Sequence, residues 1–319
     1  YNDHNLYGPI FSLVIAPFAV VPDALGLLGW LVVLALGMYY AVRRLPLEEG
    51  RQIFLYWFCA HELLTALQMQ QFNIAIAAII VGSFAAIEKG REVTAAFLIV
   101  LGVVGLAFFF FVKRKPRFIL ALIGWSVVCF VAPMLISSPE YVLGQYVAWY
   151  ERLAAKNGEN TFALMQNISL LGMIRKVSGS AAYSDLWVIL PGLALFGLPY
   201  LRFSQYRHLA FRYGILSSVL LFVVLFSTGS ESSTYIIPFA GIALWYVTSP
   251  WKRTGWDVAL MVFAFVLSSL SPSDLFPRSL REAYVLPYAL KALPPTLIWL
   301  RLSYELLTRD YAPAKVASI

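Results

Sequence analysis

Charge is what this 319-residue chain has least of: 13% of its residues are Asp, Glu, Lys or Arg, against 60% hydrophobic and 16% aromatic. A water-soluble domain has roughly a quarter of its residues charged. A single core could not hide this much apolar side chain from water, so the soluble globular classes are excluded and a polytopic membrane protein is expected. Cysteine is equally scarce. Cys59 and Cys129 both lie inside apolar runs, far from any metal-like Cys/His spacing, which argues against a disulfide framework and a zinc site. A Gly-rich phosphate loop and an Asp-x-Asp metal motif are also lacking, so a nucleotide-sugar enzyme of the cytosolic type is disfavoured and no cofactor or metal is expected. The formal charge of +7 is dispersed over loops between hydrophobic segments. That pattern fits membrane orientation rather than a nucleic-acid partner.

What the chain does have is a succession of apolar runs near the length of a membrane span, about 20 residues with a range of roughly 17–25. They fall at 9–22, 24–42, 52–68, 73–87, 92–112, 117–136, 186–201, 210–227, 234–248, 255–271 and 284–307. Several are short. None alternates like a barrel strand, so the expected fold is all-α, one integral membrane domain over 1–319 with about ten transmembrane helices plus re-entrant segments. Prolines at 17, 191, 238, 287, 294 and 295 mark expected kinks or half-helices. The chain opens at Tyr1 in mid-pattern, and a preceding helix and loop are expected.

Lys and Arg cluster in alternate loops: Arg43, Arg44 and Arg51; Lys89 and Arg91; "KRKPR" at 113–117; Arg202, Arg207 and Arg212; Lys252 and Arg253; Arg301, Arg309 and Lys315. With these inside, the positive-inside rule is satisfied, and Arg152, Lys156, Arg175, Lys176, Arg278, Arg281 and Lys291 are expected outside. Segment 92–112 then cannot cross once. Either it is a re-entrant hairpin around Gly102 and Gly105, or Lys89 and Arg91 face outward; segment 9–22, with Pro17 at its centre, is read as re-entrant or partly buried. The outer face collects residues 1–9, "QMQQFN" at 68–73, a long extracytoplasmic loop over 137–185, "GSESSTY" at 229–235 and "SPSDLFPRSLRE" at 271–282. Each could be a plain loop, but together they favour a site. Within 137–185, Tyr141–Leu153 and Asn167–Val177 have the spacing of helices lying along the interface, either flanking a lateral opening for a lipid-linked molecule or capping the structure.

His61 sits about ten residues, ~15 Å, into its helix, with Glu62 beside it and Thr65 and Gln68 on the same face. An ionisable residue at that depth is a functional candidate because burying it is costly; the competing reading is a helix-packing pair satisfied by a neighbour. No second His follows at the metalloprotease spacing. For transfer of a sugar from a lipid phosphate, Asp3, His4 and Glu231 are the outer-face candidates for the base. Arg175, Lys176, Arg278 and Arg281 are the candidates for holding the phosphate, each also readable as an ordinary loop charge. A secondary transporter remains open, although no internal repeat is found. So does an O-antigen-type polymerase or ligase, with Arg278 and Arg281 as its paired outer arginines.

The ordered series "YGPIFSLVIAPFAVVPDALGLLGW", "QQFNIAIAAIIVGSFAAI", "AFFFFVKRKPRF", "SPEYVLGQYVAW", "QNISLLGMIRKVSG" and a polar outer turn before "YIIPFAGIALWY" resembles the membrane glycosyltransferases of family 87, over essentially all of residues 1–300. The resemblance implies a GT-C fold in a bacterial inner membrane, with the active site facing the exterior. It implies an inverting hexosyltransferase moving a mannose-like sugar from a polyprenyl-phosphate donor to a lipid or glycan acceptor. The family's aromatic-Pro-Pro corresponds to Tyr7-Gly8-Pro9, its Gly-Gln-x-Asn to Gln70-Gln71-Phe72-Asn73, and its Asn-x-Ser-Leu to Asn167, Ser169 and Leu170. Where relatives often carry an outer-turn His, Glu231 or Tyr235 would substitute. The family's Lys-x-x-Pro element is missing from 92–112, and its acidic base is here either Asp3 or a residue upstream of Tyr1. The expected catalytic residues are therefore Asp3 and Glu231, and the expected substrate contacts His4, Tyr7, His61, Gln71, Asn73, Asn167, Tyr235 and Arg278.

Overall fold

In lipid a backbone N–H or C=O has no water to bond, so the long apolar runs are driven into helix. The computed structural model describes residues 7–160, 163–180 and 184–312, and among these there is no strand. In chain order the helices are α1 (Pro9–Ala19), α2 (Asp23–Arg43), α3 (Glu49–Gln68), α4 (Asn73–Glu88), α5 (Glu92–Leu101), α6 (Lys115–Val131), α7 (Pro139–Glu159), α8 (Leu170–Ser178), α9 (Leu186–Gly197), α10 (Leu209–Leu225), α11 (Ile236–Val247), α12 (Gly255–Phe263), the short α13 (Arg278–Leu280) and α14 (Leu293–Thr308). Two stretches, Asp23–Arg43 and Lys115–Leu135, are long and apolar enough to cross a membrane, and the shorter apolar helices run 10–17 residues. Leu25, Leu28, Val33, Leu120, Ile123 and Val127 on those two are all exposed. Such apolar outward faces suit a hydrocarbon surrounding.

The chain divides into two compact units, Tyr1–Pro46 with Ile74–Asn160, and Leu47–Asn73 with Thr161–Ile319. In the first, α1 packs on α2 and α5 on α6. The 92–112 run breaks at Gly102 (φ −142°, ψ 83°), leaving α5 followed by a 3-10 helix over Val103–Phe111. The aromatic Tyr146 of α7 stacks on Phe130 at 4.8 Å, as its interfacial spacing allows.

The second unit is built on the α10–α11 pair, with α3 against α11 and α14 against α10. A side chain at Gly241 would approach Ser217 O and Leu220 Cβ to 3.0 Å, so the absence of one permits the close crossing. Phe58 stacks on Phe239 at 5.2 Å. At the far end of α14, Arg253 bonds both oxygens of Glu305 and lies over Trp245, while Arg301 meets Asp257 at 3.0 Å. Pro238, Pro294 and Pro295 fall in first helical turns, where a missing N–H removes no helical bond. The candidate segment 284–307, where Pro287, Pro294 and Pro295 marked expected breaks, is interrupted. A π-helical turn, Arg281–Val285, is followed by Ala289 in the left-handed region and a 3-10 turn, Leu290–Ala292, before α14 begins. With Pro287, Pro294 and Pro295 in it, the segment lacks the donors for an unbroken ladder.

Candidate functional site

The break before α14 has a visible consequence. It delivers Lys291, 3% exposed, onto Glu62 of α3, 0% exposed, with Nζ 3.2 Å and 3.3 Å from the two carboxylate oxygens. The same ammonium donates to Ser232 O (3.1 Å) and Ser232 Oγ (2.9 Å) and lies 4.4 Å from the centre of the Tyr235 ring. Its three N–H bonds are thus all accounted for. Beside the pair, His61 Nδ1 is 3.1 Å from Ser269 Oγ, and Ser268 Oγ donates to Lys291 O at 2.7 Å. Ser268 and Ser269 belong to a second π-helical turn, Ala264–Leu270. π turns cost helix regularity and recur at functional sites.

Of these residues, His61, Ser232 and Lys291 line a cavity of about 530 Å³ in the second unit. Its polar wall includes His61, Thr65, Gln68, Ser232, Ser271, Arg281, Glu282 and Lys291; Leu64, Met69, Met165, Val285 and Leu286 form much of its apolar part. Leu64, Met69 and Met165 are exposed, so the apolar part reaches the surface. Among the described residues, the non-glycine positions with positive φ are Gln70, Asn167 and Ala289. Ala289 lines the cavity, and Gln70 and Asn167 adjoin the lining residues Met69 and Ile168. Holding such a residue in that region costs on the order of 1 kcal/mol or more. All three of these costs fall around the same cavity.

The loop before α8 and the turn "GSESSTY" clasp each other. Ile168 N donates to Ser230 O at 2.8 Å, and Tyr235 OH donates to Ile168 O at 3.1 Å. Ser169 Oγ donates to Asn167 Oδ1 and accepts from Gly172 N, capping α8. A Cβ on Gly172 would stand 1.7 Å from Asn167 O. Gly172→Ala is expected to cost about 2–3 kcal/mol through the forced backbone shift, read as a lowered melting midpoint of the purified protein in detergent; an unchanged midpoint would show that the loop gives way freely.

The expected site residues separate on this geometry. Asp3 and His4 lie outside the described residues. Tyr7, in the first unit, is exposed, its ring 4.8 Å from that of Phe11. His61 lines the cavity, and Tyr235 is buried under Lys291. Asn73 Nδ2 donates to Ser233 Oγ at 3.4 Å, while Gln71 N bonds Ala66 O at the end of α3. Asn167 is 1% exposed inside its own turn. Glu231 caps the 3-10 turn Ser232–Tyr235 and accepts Gln166 Nε2 at 2.8 Å.

The four candidate phosphate cations are equally distinct. Arg175 is held by Asp185 at 2.5 Å. Lys176 donates to Ala163 O and Gln166 O, and its burial holds the ammonium below the usual lysine range. Arg278 is exposed and pairs with Glu282 at 2.6 Å. Arg281 lines the cavity, with Nη1 making two long contacts, 3.3 Å each, to Pro272 O and Ser273 O.

Lys291, expected on the outer side with no partner assigned to it, is buried against Glu62. A signal was available: "CAHELLTAL" and "YALKALPP" are apolar runs with charges of opposite sign, which at membrane depth must find each other or stay neutral. Among the described residues no group of three or more His, Cys, Asp or Glu could hold a metal ion. A sequence profile of glycosyltransferase family 87 matches residues 5–228. Ser232, Arg281 and Lys291 lie beyond the matched stretch. No curated protein and no solved structure matches the chain.

Proposed function

The chain belongs to glycosyltransferase family 87, and from that membership we propose that it is a membrane hexosyltransferase moving a mannose-like sugar from a polyprenyl phosphate to a lipid or glycan acceptor at the outer membrane face. The observation that carries the substrate class is the cavity's division of labour. Its volume of about 530 Å³ suits a small-molecule head group, given the roughly 300–1,000 Å³ usual for such sites. Hydroxyl, amide and imidazole groups at His61, Thr65, Gln68 and Ser232 match a polyol, and the exposed Leu64, Met69 and Met165 match the start of a polyprenyl tail.

Arg281 is the cation for the phosphate in this reading. A guanidinium presents paired donors to phosphate oxygens, and departure of the lipid phosphate adds one negative charge that such donors stabilise in the transition state. The transfer is written as inverting. The acceptor oxygen attacks the anomeric carbon opposite the phosphate, the C–O bond to phosphate breaks with its electrons on oxygen, and a carboxylate takes the acceptor's proton. We assign that proton to Glu282, a cavity-lining residue, rather than to Glu231, which is occupied as a cap.

The test is transfer of labelled mannose from polyprenyl-phosphate mannose to extracted membrane lipids by the purified protein. Labelled lipid is expected with the wild type. Glu282→Gln should run at roughly a hundredth of that rate or less, from the low end of the effect of losing a general base upward. Absence of transfer, with substrate-coupled flux into liposomes instead, would replace this reading by a transporter.

A further inference from the structure

Lys291 at the cavity floor looks at first like a second phosphate ligand, and its coordination argues otherwise. All three of its N–H bonds go to Glu62 and to the two oxygens of Ser232, and the Glu62 carboxylate cancels its charge. The floor therefore offers no spare positive charge. What it offers is the Ser232 hydroxyl. Because Ser232 Oγ accepts from the ammonium at 2.9 Å, its own proton must point elsewhere, and among the described residues that O–H has no acceptor. Ser232 lines the cavity. A hydroxyl that accepts from a cation is also the stronger donor, since chained hydrogen bonds polarise one another.

We propose that Ser232 reads one hydroxyl of the transferred sugar, and that Lys291 and Glu62 are positioning residues that fix the direction of the Ser232 O–H. The inference rests on the transferase reading above and gives it a specificity: a neutral hexose is accepted, whereas the carboxylate of a uronic acid finds no free cation at this floor. The structure spends heavily on the arrangement. A buried ion pair is a poor way to gain stability, and Ala289, two residues before Lys291, is held at φ 51°.

The experiment uses the full chain, polyprenyl-phosphate mannose and its monodeoxy analogues. Ser232→Ala is expected to raise the donor KM by about tenfold, the scale of one hydrogen bond to an uncharged partner, with kcat little changed. One monodeoxy donor should lose the same factor on the wild type and nothing further on Ser232→Ala. Ser232→Thr, which keeps the hydroxyl, should retain the wild-type KM. The double variant Glu62→Gln with Lys291→Met leaves no unpaired charge, and it should fold yet show the raised KM of Ser232→Ala. An unchanged KM in Ser232→Ala, or a double variant that folds with wild-type KM, overturns the assignment while leaving the transferase reading intact. A wild type that uses none of these donors overturns both. A wild type that uses glucuronate and mannose donors alike overturns the specificity.

Discussion

Lys291→Met by itself is expected to destabilise the second unit by about 3–5 kcal/mol, the usual cost of leaving one member of a buried ion pair without its partner. Glu62 and Lys291 have side-chain exposures of 0% and 4%, so neither can turn to solvent when the other is removed. The carboxylate would be left buried without its best donor. Ser232 would lose both bonds to Nζ at the same moment, and the turn that carries Tyr235 would lose its anchor on α3. The double variant with Glu62→Gln should recover most of the loss, because a neutral pair of similar volume has no charge to solvate. Melting midpoints in a fixed detergent measure both. A Lys291→Met protein that melts with the wild type would show that water reaches the pair and that the cavity floor is not dry.

Arg281→Ala is expected to lower the rate of sugar transfer by roughly 10²- to 10³-fold, the range for loss of one preorganised donor to a developing anion. The fold should hardly notice. Arg281 makes only two long contacts of 3.3 Å to backbone carbonyls and lies in a loop-like π turn between α13 and the break before α14. A change within about 0.5 kcal/mol is typical where no buried partner is stranded. Arg281→Lys should restore only part of the rate, since an ammonium cannot make the paired contact of a guanidinium. The opposing result is transfer at the wild-type rate by Arg281→Ala. That would return the phosphate to one of the other candidate cations, and Lys176→Ala assayed alongside is the comparison, since Lys176 is outside the cavity lining.

Much of the helical layout was legible in the residues. The run 92–112, expected either as a hairpin around Gly102 and Gly105 or with Lys89 and Arg91 outward, breaks at Gly102, and the stretch 167–177, expected to be helical from its spacing, holds most of α8. Of the expected contacts His61 lines the cavity, the turn 229–235 contributes Ser232 to it, and Tyr235 lies buried beneath Lys291. Arg278 is the expected substrate contact, whereas Arg281, three residues away at the start of a π turn, is the one that lines the cavity. Glu231, expected to have a chemical role, caps its own turn.

Composition and hydrophobic run length alone determine that this chain is helical and membrane-bound, since those properties depend on solvation of backbone and side chains one segment at a time. Tertiary structure alone decides that Glu62 and Lys291, 229 positions apart, become one neutral pair. The reason is physical: an isolated charge at depth only announces that it needs a partner, and which partner it finds depends on how the helices pack and on where the backbone departs from helix.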